Sequence, residues 1–291
     1  MGHEASGIVV AVGSAVTDLK SGDQVVIEGS RPCRLCKRCK EGLYNLCPTM
    51  KFAACPPDTD GMLAKYFKIP ADFCYKLPIG VGLDEGVLVE PLAVAVHAVR
   101  MVNIKPGQTV VVFGSGTIGI LSAAVTKAYG ASKIVAVDLL DSKLEFAKRF
   151  NASAIFKPDM KATAEENAAR LISENDLGLG ADAVIEASGA ESSVNTAVHV
   201  LRPGGSYVQT GLGKPIINFP ILAMSEKELH CHGAFRYGPG DYETALGFLE
   251  KRAIPVKELI TKVFPFEEVT EAWDATKRGE GIKNMIQGVQ D

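Results

Sequence analysis

The stretch Thr109-Val110-Val111-Val112-Phe113-Gly114-Ser115-Gly116-Thr117-Ile118-Gly119 decides the fold. Its first five residues favour strand and carry no charge, so they read as a buried strand. A G-x-G-x-x-G turn follows, and apolar residues at helical spacing continue over 118–129. Gly114 permits the tight turn, Gly116 lets a pyrophosphate approach the backbone, and Gly119 lets helix and strand pack closely. Ile118 stands inside the turn, at a helix N-terminus whose free N–H groups and positive dipole suit an anion. Asp138 closes the next expected strand, Lys133–Val137. A carboxylate there accepts from both hydroxyls of an adenine ribose and repels a 2′-phosphate, which points to NAD rather than NADP. Lys143, one helical turn later, is within reach of the same ribose.

Outward from this unit the alternation continues: a helix over 142–150, a strand over 183–186, a helix over 192–201, a turn at Arg202-Pro203-Gly204-Gly205 and a strand over 206–210. Strands alternating with helices imply a parallel sheet, here a doubly wound α/β domain ending near Phe235. Amphipathic helices over 241–251 and 266–277 and a strand over 283–289 then return to the first domain. Upstream, β-branched runs over 7–12 and 24–28 flank the turn Ser21-Gly22-Asp23, so the first ninety residues read as all-β with an irregular cysteine lobe. The expected domains are 1–92 with a lobe at 31–48, then 93–235, then 236–291.

Composition narrows the function. A chain of 291 residues has room for about two domains, each with its own core. Lys and Arg number 31 against 34 Asp and Glu, a net charge of −3, which lacks the basic excess that nucleic acid binding needs. The uncharged stretch 106–126 contains four glycines and a proline, which argues against a membrane span. Met1-Gly2-His3-Glu4 is neither basic nor apolar, so no secretory signal is expected and the protein reads as cytoplasmic.

Cys33, Cys36, Cys39 and Cys47 form C-x2-C-x2-C-x7-C, a spacing that lets four thiolates surround one zinc ion. Arg31, Arg34, Lys37, Arg38 and Lys40 offset the double negative charge of such a site, which is structural rather than catalytic. Cys55, Cys74 and Cys231 read as ordinary buried cysteines. Glu90 lies in an apolar stretch where an unpaired carboxylate costs several kcal/mol, so it needs a partner. Spacing alone does not join it to His3, which by itself reads as a surface residue. His97, His199, His230 and His232 read as helix or strand residues.

Gly2-His3-Glu4-Ala5-Ser6-Gly7, the four-cysteine lobe, Glu90-Pro91-Leu92 and the glycine turn occur in the order found in zinc-containing medium-chain alcohol dehydrogenases, which this sequence resembles along essentially its whole length. The stretches 51–57, 73–78 and Gly233-Ala234-Phe235-Arg236-Tyr237 resemble the polyol branch of that family. The resemblance implies a Rossmann domain joined to a GroES-like β-barrel, and zinc-dependent oxidation of a polyol with hydride transfer to NAD: xylitol to D-xylulose, or sorbitol to fructose, the first preferred. It makes His3 and Glu90 ligands of a catalytic zinc and Glu4 a neighbouring catalytic carboxylate. Phe52, Glu90, Arg236 and Tyr237 would line the substrate. Ile118, Asp138, Lys143, Gly211, Leu212, Phe235 and Arg236 would contact NAD. It further implies a homo-oligomer, dimer or tetramer. Family members carry barrel strands and a cysteine ligand ahead of Gly-His-Glu, so the barrel is expected to be incomplete at its N-terminus. Two rival readings are an inactive NAD-binding fragment and a zinc-free, quinone-reductase-like enzyme.

Overall fold

The computed structural model describes residues 1–57 and 59–289. The chain divides into two compact units: unit 1 comprises 1–93 with 236–291, and unit 2 comprises 94–235.

Unit 1 begins with β1 (Ala5–Ile8), β2 (Gln24–Ile27), β3 (Ser30–Arg31), α1 (Lys37–Lys40), β4 (Lys51–Phe52), β5 (Cys74–Lys76) and α2 (Leu83–Gly86). The strands form an antiparallel sheet in the order β1-β2-β5 and a small antiparallel pair, β3 with β4. The strand expected over 7–12 starts and ends earlier; beyond it Val10 and Val12 are exposed. Helix α3 (Val89–Met101) follows, with Pro91 in its first turn, where a missing N–H costs nothing.

Unit 2 continues with β6 (Thr109–Phe113), α4 (Thr117–Ala128), β7 (Lys133–Val137), α5 (Asp141–Phe150), β8 (Ala154–Phe156), α6 (Ala164–Glu174), β9 (Ala181–Glu186), α7 (Glu191–Val200), β10 (Leu201–Gln209), α8 (Ile221–Glu226) and β11 (His230–Gly233). All six strands are parallel, in the order β11-β10-β9-β6-β7-β8. Val111, Phe113, Val135, Val184 and Leu201 form one buried core with the inner faces of α6 and α7. Burying such side chains contributes about 1.5–3 kcal/mol each before entropy is counted.

Two elements correct the sequence reading. Arg202-Pro203-Gly204-Gly205 does not end the preceding element; it lies within β10, where the register jumps between Leu201 and Ser206. Pro203 has no N–H to donate, so the ladder is interrupted there and resumes. Helix α6, unread in the sequence, opens on a capping box: Thr163 N–H donates to Glu166 at 2.8 Å, and Glu166 N–H donates to the Thr163 hydroxyl at 3.2 Å.

The chain then re-enters unit 1 through α9 (Asp241–Glu250), β12 (Ile260–Phe264), α10 (Val269–Lys277) and β13 (Lys283–Ile286), with β12 and β13 parallel. Among the described residues no helix is long and apolar enough to cross a membrane.

Candidate metal centres and cofactor site

The glycine turn behaves as its spacing requires. Gly114 has φ of +89°, the left-handed region that glycine adopts freely, and its N–H donates to Val137 O at 2.7 Å. A Cβ on Gly119 would stand 1.7 Å from Gly114 O, so only glycine lets α4 start this close to β6. Gly116 caps α4 in extended conformation, with Ile118 in the first turn. Asp138 is fixed from both sides: Ser115 N–H donates to one carboxylate oxygen at 2.7 Å and Leu140 N–H to the other at 3.0 Å. Each oxygen keeps a further lone pair for a ribose hydroxyl.

A cavity of about 780 Å³ opens at the C-terminal ends of β6, β7 and β9, lined by Gly114, Asp138, Leu139, Met160 and Glu191 among others. Ligands of doubly wound sheets bind in this crevice. Lys143, half-buried on α5, is not among the lining residues, nor are Gly211, Leu212 and Phe235. Leu212 and Phe235 are exposed apolar side chains.

In unit 1 the four cysteines converge, their sulfurs all within 4.8 Å of one another. A tetrahedral zinc with Zn–S of about 2.3 Å requires sulfurs ~3.8 Å apart. Cys36 and Cys39 are separated by 3.5 Å and Cys33 and Cys39 by 4.0 Å, which brackets that value and is far from disulfide distance. Backbone N–H groups point at the sulfurs, from Cys33 to Cys47 at 3.4 Å and from Cys36 to Cys33 at 3.3 Å. The N–H groups of Cys36 and Leu35 pull the Cys33 thiol down to about 6. These donors stabilise thiolate, the form that binds metal, and the set fits one zinc ion.

The second cluster is assembled across the unit. Met62 N–H donates to Gly2 O at 2.8 Å and Leu63 N–H to Met1 O at 2.9 Å, pinning the chain ahead of His3. Gly61 makes room, since a Cβ there would lie 2.0 Å from Met1 O. Glu90, in the first turn of α3, is 4% exposed. His3 Nε2 lies 4.0 Å from Glu90 Oε1, and ligating atoms of His3, Glu4 and Glu90 all lie within 4.8 Å of one another. Burial, and then the charge of Glu4, raises the Glu90 carboxyl well above its ordinary range. Burial lowers the His3 imidazole, favouring the neutral form that ligates metal. A buried carboxylate beside a neutral imidazole is a donor set that a divalent zinc satisfies. Glu4 also pairs with the Lys283 ammonium from β13, a contact absent from the sequence reading.

Phe52, Arg236 and Tyr237 gather beside this cluster. The His3 and Phe52 rings are 5.6 Å apart, and the Arg236 guanidinium sits 3.7 Å from the Phe52 ring centroid. Arg236 holds a positive φ of 58° and donates to Cys55 Sγ at 3.8 Å. Cys55 and Cys231 are exposed, contrary to the expectation that both are buried. Tyr237 is fully buried against Tyr242, with its hydroxyl unpartnered.

Residues 117–251 match the zinc-binding dehydrogenase family, and residues 1–79 match the alcohol dehydrogenase GroES-like domain. The probable D-xylulose reductase A of Aspergillus terreus is 57% identical over 290 residues, covering 100% of this chain and 82% of that protein. D-xylulose reductase A of Aspergillus oryzae is 55% identical over 289 residues, 99% of this chain and 80% of that one. Among solved structures, an Escherichia coli oxidoreductase of unknown specificity superposes with a TM-score of 0.92 at 32% identity, covering 99% of this chain and 82% of that one. L-idonate 5-dehydrogenase from Escherichia coli gives 0.87 at 30% identity, with coverage of 98% and 81%. The chain belongs to the zinc-containing medium-chain alcohol dehydrogenases, in their polyol branch.

Proposed function

We propose that the chain is a zinc- and NAD-dependent polyol dehydrogenase that interconverts xylitol and D-xylulose, the activity named for its Aspergillus relatives. The observation that carries the reading is the convergence of His3, Glu4 and Glu90 within 4.8 Å, in a family defined by zinc binding. When bound, zinc supplies a Lewis acid for the substrate hydroxyl and NAD accepts the hydride.

His3 Nε2 and the buried Glu90 carboxylate are the metal ligands in this reading. Glu4 orients them and takes the proton released from the substrate hydroxyl; its Lys283 partner holds the carboxylate in place. Arg236, fixed over Phe52, offers N–H groups to the remaining hydroxyls of a polyol. Tyr237, buried with its ring 6.5 Å from that of Phe52, backs this side of the site. Gly114, Gly116 and Gly119 receive the pyrophosphate, and Asp138 takes the adenine ribose and favours NAD over NADP. Lys143, Gly211, Leu212 and Phe235 complete the cofactor contacts. Cys33, Cys36, Cys39 and Cys47 hold a separate structural zinc. We read the protein as a cytoplasmic homo-oligomer, dimer or tetramer.

The test is NADH formation followed by absorbance in the zinc-loaded chain, with xylitol and sorbitol as substrates and His3→Ala as control. The expected outcome is polyol-dependent NADH that a chelator and His3→Ala both abolish. A chain that binds NAD and zinc yet reduces NAD with no polyol overturns the reading.

A further inference from the structure

The strand order of unit 2 places β7, with Asp138 beyond its end, on one side of β6, and β9 and β10 on the other. A dinucleotide with its adenine ribose at Asp138 and its pyrophosphate at the glycine turn must carry its second nucleoside over the ends of β9 and β10. The residue that organises those ends is Glu186, the last of β9, with 0% exposure.

Its side chain faces an unusual concentration of donors. Oε1 accepts from Ser188 N–H at 2.9 Å, from Gly189 N–H at 3.1 Å and from the Ser188 hydroxyl. Oε2 accepts from Gly189 N–H at 2.9 Å and from Gln209 Nε2 at 2.7 Å. The Glu186 carbonyl accepts from Thr210 and Gly211 N–H, both at 2.8 Å. Gln209 donates also to Gly211 O at 2.7 Å and accepts from the Tyr207 hydroxyl. The loops after β9 and β10 consequently touch. A Cβ on Gly213 would stand 1.8 Å from Gly189 O, and one on Gly211 would stand 2.7 Å from Glu186 Oε2. Burying a carboxylate is costly unless its lone pairs are filled, and these are filled by loop backbone, the Ser188 hydroxyl and Gln209 rather than by the core. Glu186 does not line the cavity at Asp138, so it reaches a ligand only through the loops it holds.

We infer that Glu186 is a positioning residue for the nicotinamide half of the dinucleotide: its buried carboxylate holds the loop at 187–190 directly and the loop at 210–213 through Gln209, and so fixes the backbone on which that half rests. The inference rests on the NAD reading above and adds to it a residue outside the cofactor motif.

Calorimetric affinities for NAD and for ADP, which lacks the nicotinamide riboside, separate this role from general support of the fold. Glu186→Gln turns an amide NH2 toward donors. Gln209→Ala removes one tie between the loops and leaves the other bonds of Glu186 in place. We expect NAD affinity to fall about tenfold in Glu186→Gln and about threefold in Gln209→Ala, with ADP affinity within about twofold of wild type in both. NAD affinity unchanged in both variants overturns the inference, as does an equal fall for NAD and ADP, which marks a purely structural residue. If Glu186→Gln does not fold, Gln209→Ala decides alone. A wild-type chain that binds ADP but gains nothing from the nicotinamide half overturns this role and leaves the adenosine site standing. A wild type that binds neither ligand overturns the NAD reading and the inference with it.

Discussion

Cys33, Cys36, Cys39 and Cys47 lie in one short stretch around α1, and their sulfurs are brought together by local backbone turns and N–H···S bonds. His3 and Glu90 stand at opposite ends of the first ninety residues, and they meet only because the chain ahead of His3 is pinned to Met62 and Leu63 while α3 buries Glu90. The difference sets what each cluster can do. Four thiolates closing around an ion leave no open position, so the first site, with zinc bound, would stabilise a lobe. A histidine and carboxylates leave coordination positions free, so the second can accept a substrate. In the proposed reading, local assembly would make the first site depend on its metal for structure, while long-range assembly would make the second depend on the fold.

The largest expected effect comes from breaking the local site. Cys36→Ser removes one thiolate where zinc binding and lobe folding are the same event, a coupling worth roughly 10 kcal/mol or more in small zinc domains. Metal analysis of the variant should find one equivalent of zinc fewer than in wild type, and limited proteolysis should open the lobe first. Full zinc content in Cys36→Ser would mean that the cysteines are not a metal site. The assembled site should respond differently. Glu90→Gln removes its buried carboxylate, so the second zinc should weaken by roughly a thousandfold, beyond the 10–100-fold typical of losing an outer partner. The fold should survive, because a neutral amide at a buried position avoids the cost of the charge. Loss of the lobe zinc as well in Glu90→Gln would break the distinction between the two centres.

How far each site is legible in the sequence follows the same division. The four-cysteine spacing and the glycine turn with Asp138 carry their geometry in adjacent residues, and the structure places them in keeping with that spacing. Only family resemblance joins His3 to Glu90 in the sequence, since no periodicity links residues so far apart. The Arg202–Gly205 signals are turn signals, yet pairing with β9 resumes at Ser206 and absorbs them into one strand. Helix α6 is hard to read in the sequence because its apolar positions are sparse and its clearest signal is the Thr163 to Glu166 capping box. The Glu186 clamp is illegible for another reason: its partners are mostly backbone N–H groups, which every sequence has and which only a loop geometry aims.

A smaller effect tests the packing near the assembled site. Glu28, just beyond β2, is fully buried; its Oε2 accepts from the Tyr75 hydroxyl at 2.9 Å, while Oε1 has no partner. Burial pushes this carboxyl up from 4.5 to about 7, although Tyr44, Tyr75 and Ser30 partly offset the rise. The folded chain therefore holds the proton more tightly than the unfolded chain. Between pH 4.5 and about 7 the unfolded state releases it while the folded state retains it, so this group's contribution to stability is full below 4.5 and is lost as the pH climbs through 7. Glu28→Gln does not ionise and loses nothing over that interval. The stability of the variant relative to wild type should thus rise with pH, by about 2 kcal/mol from pH 5.5 to pH 8, since one pKa unit corresponds to 1.36 kcal/mol. Urea unfolding of both proteins at the two pH values checks this, because terms common to both, including the protonation of the zinc thiolates, cancel in the difference. A difference that stays constant or shrinks with pH would mean that Glu28 ionises in the folded chain as easily as in water. The tyrosines around it would then be solvating a charge rather than enclosing a neutral acid.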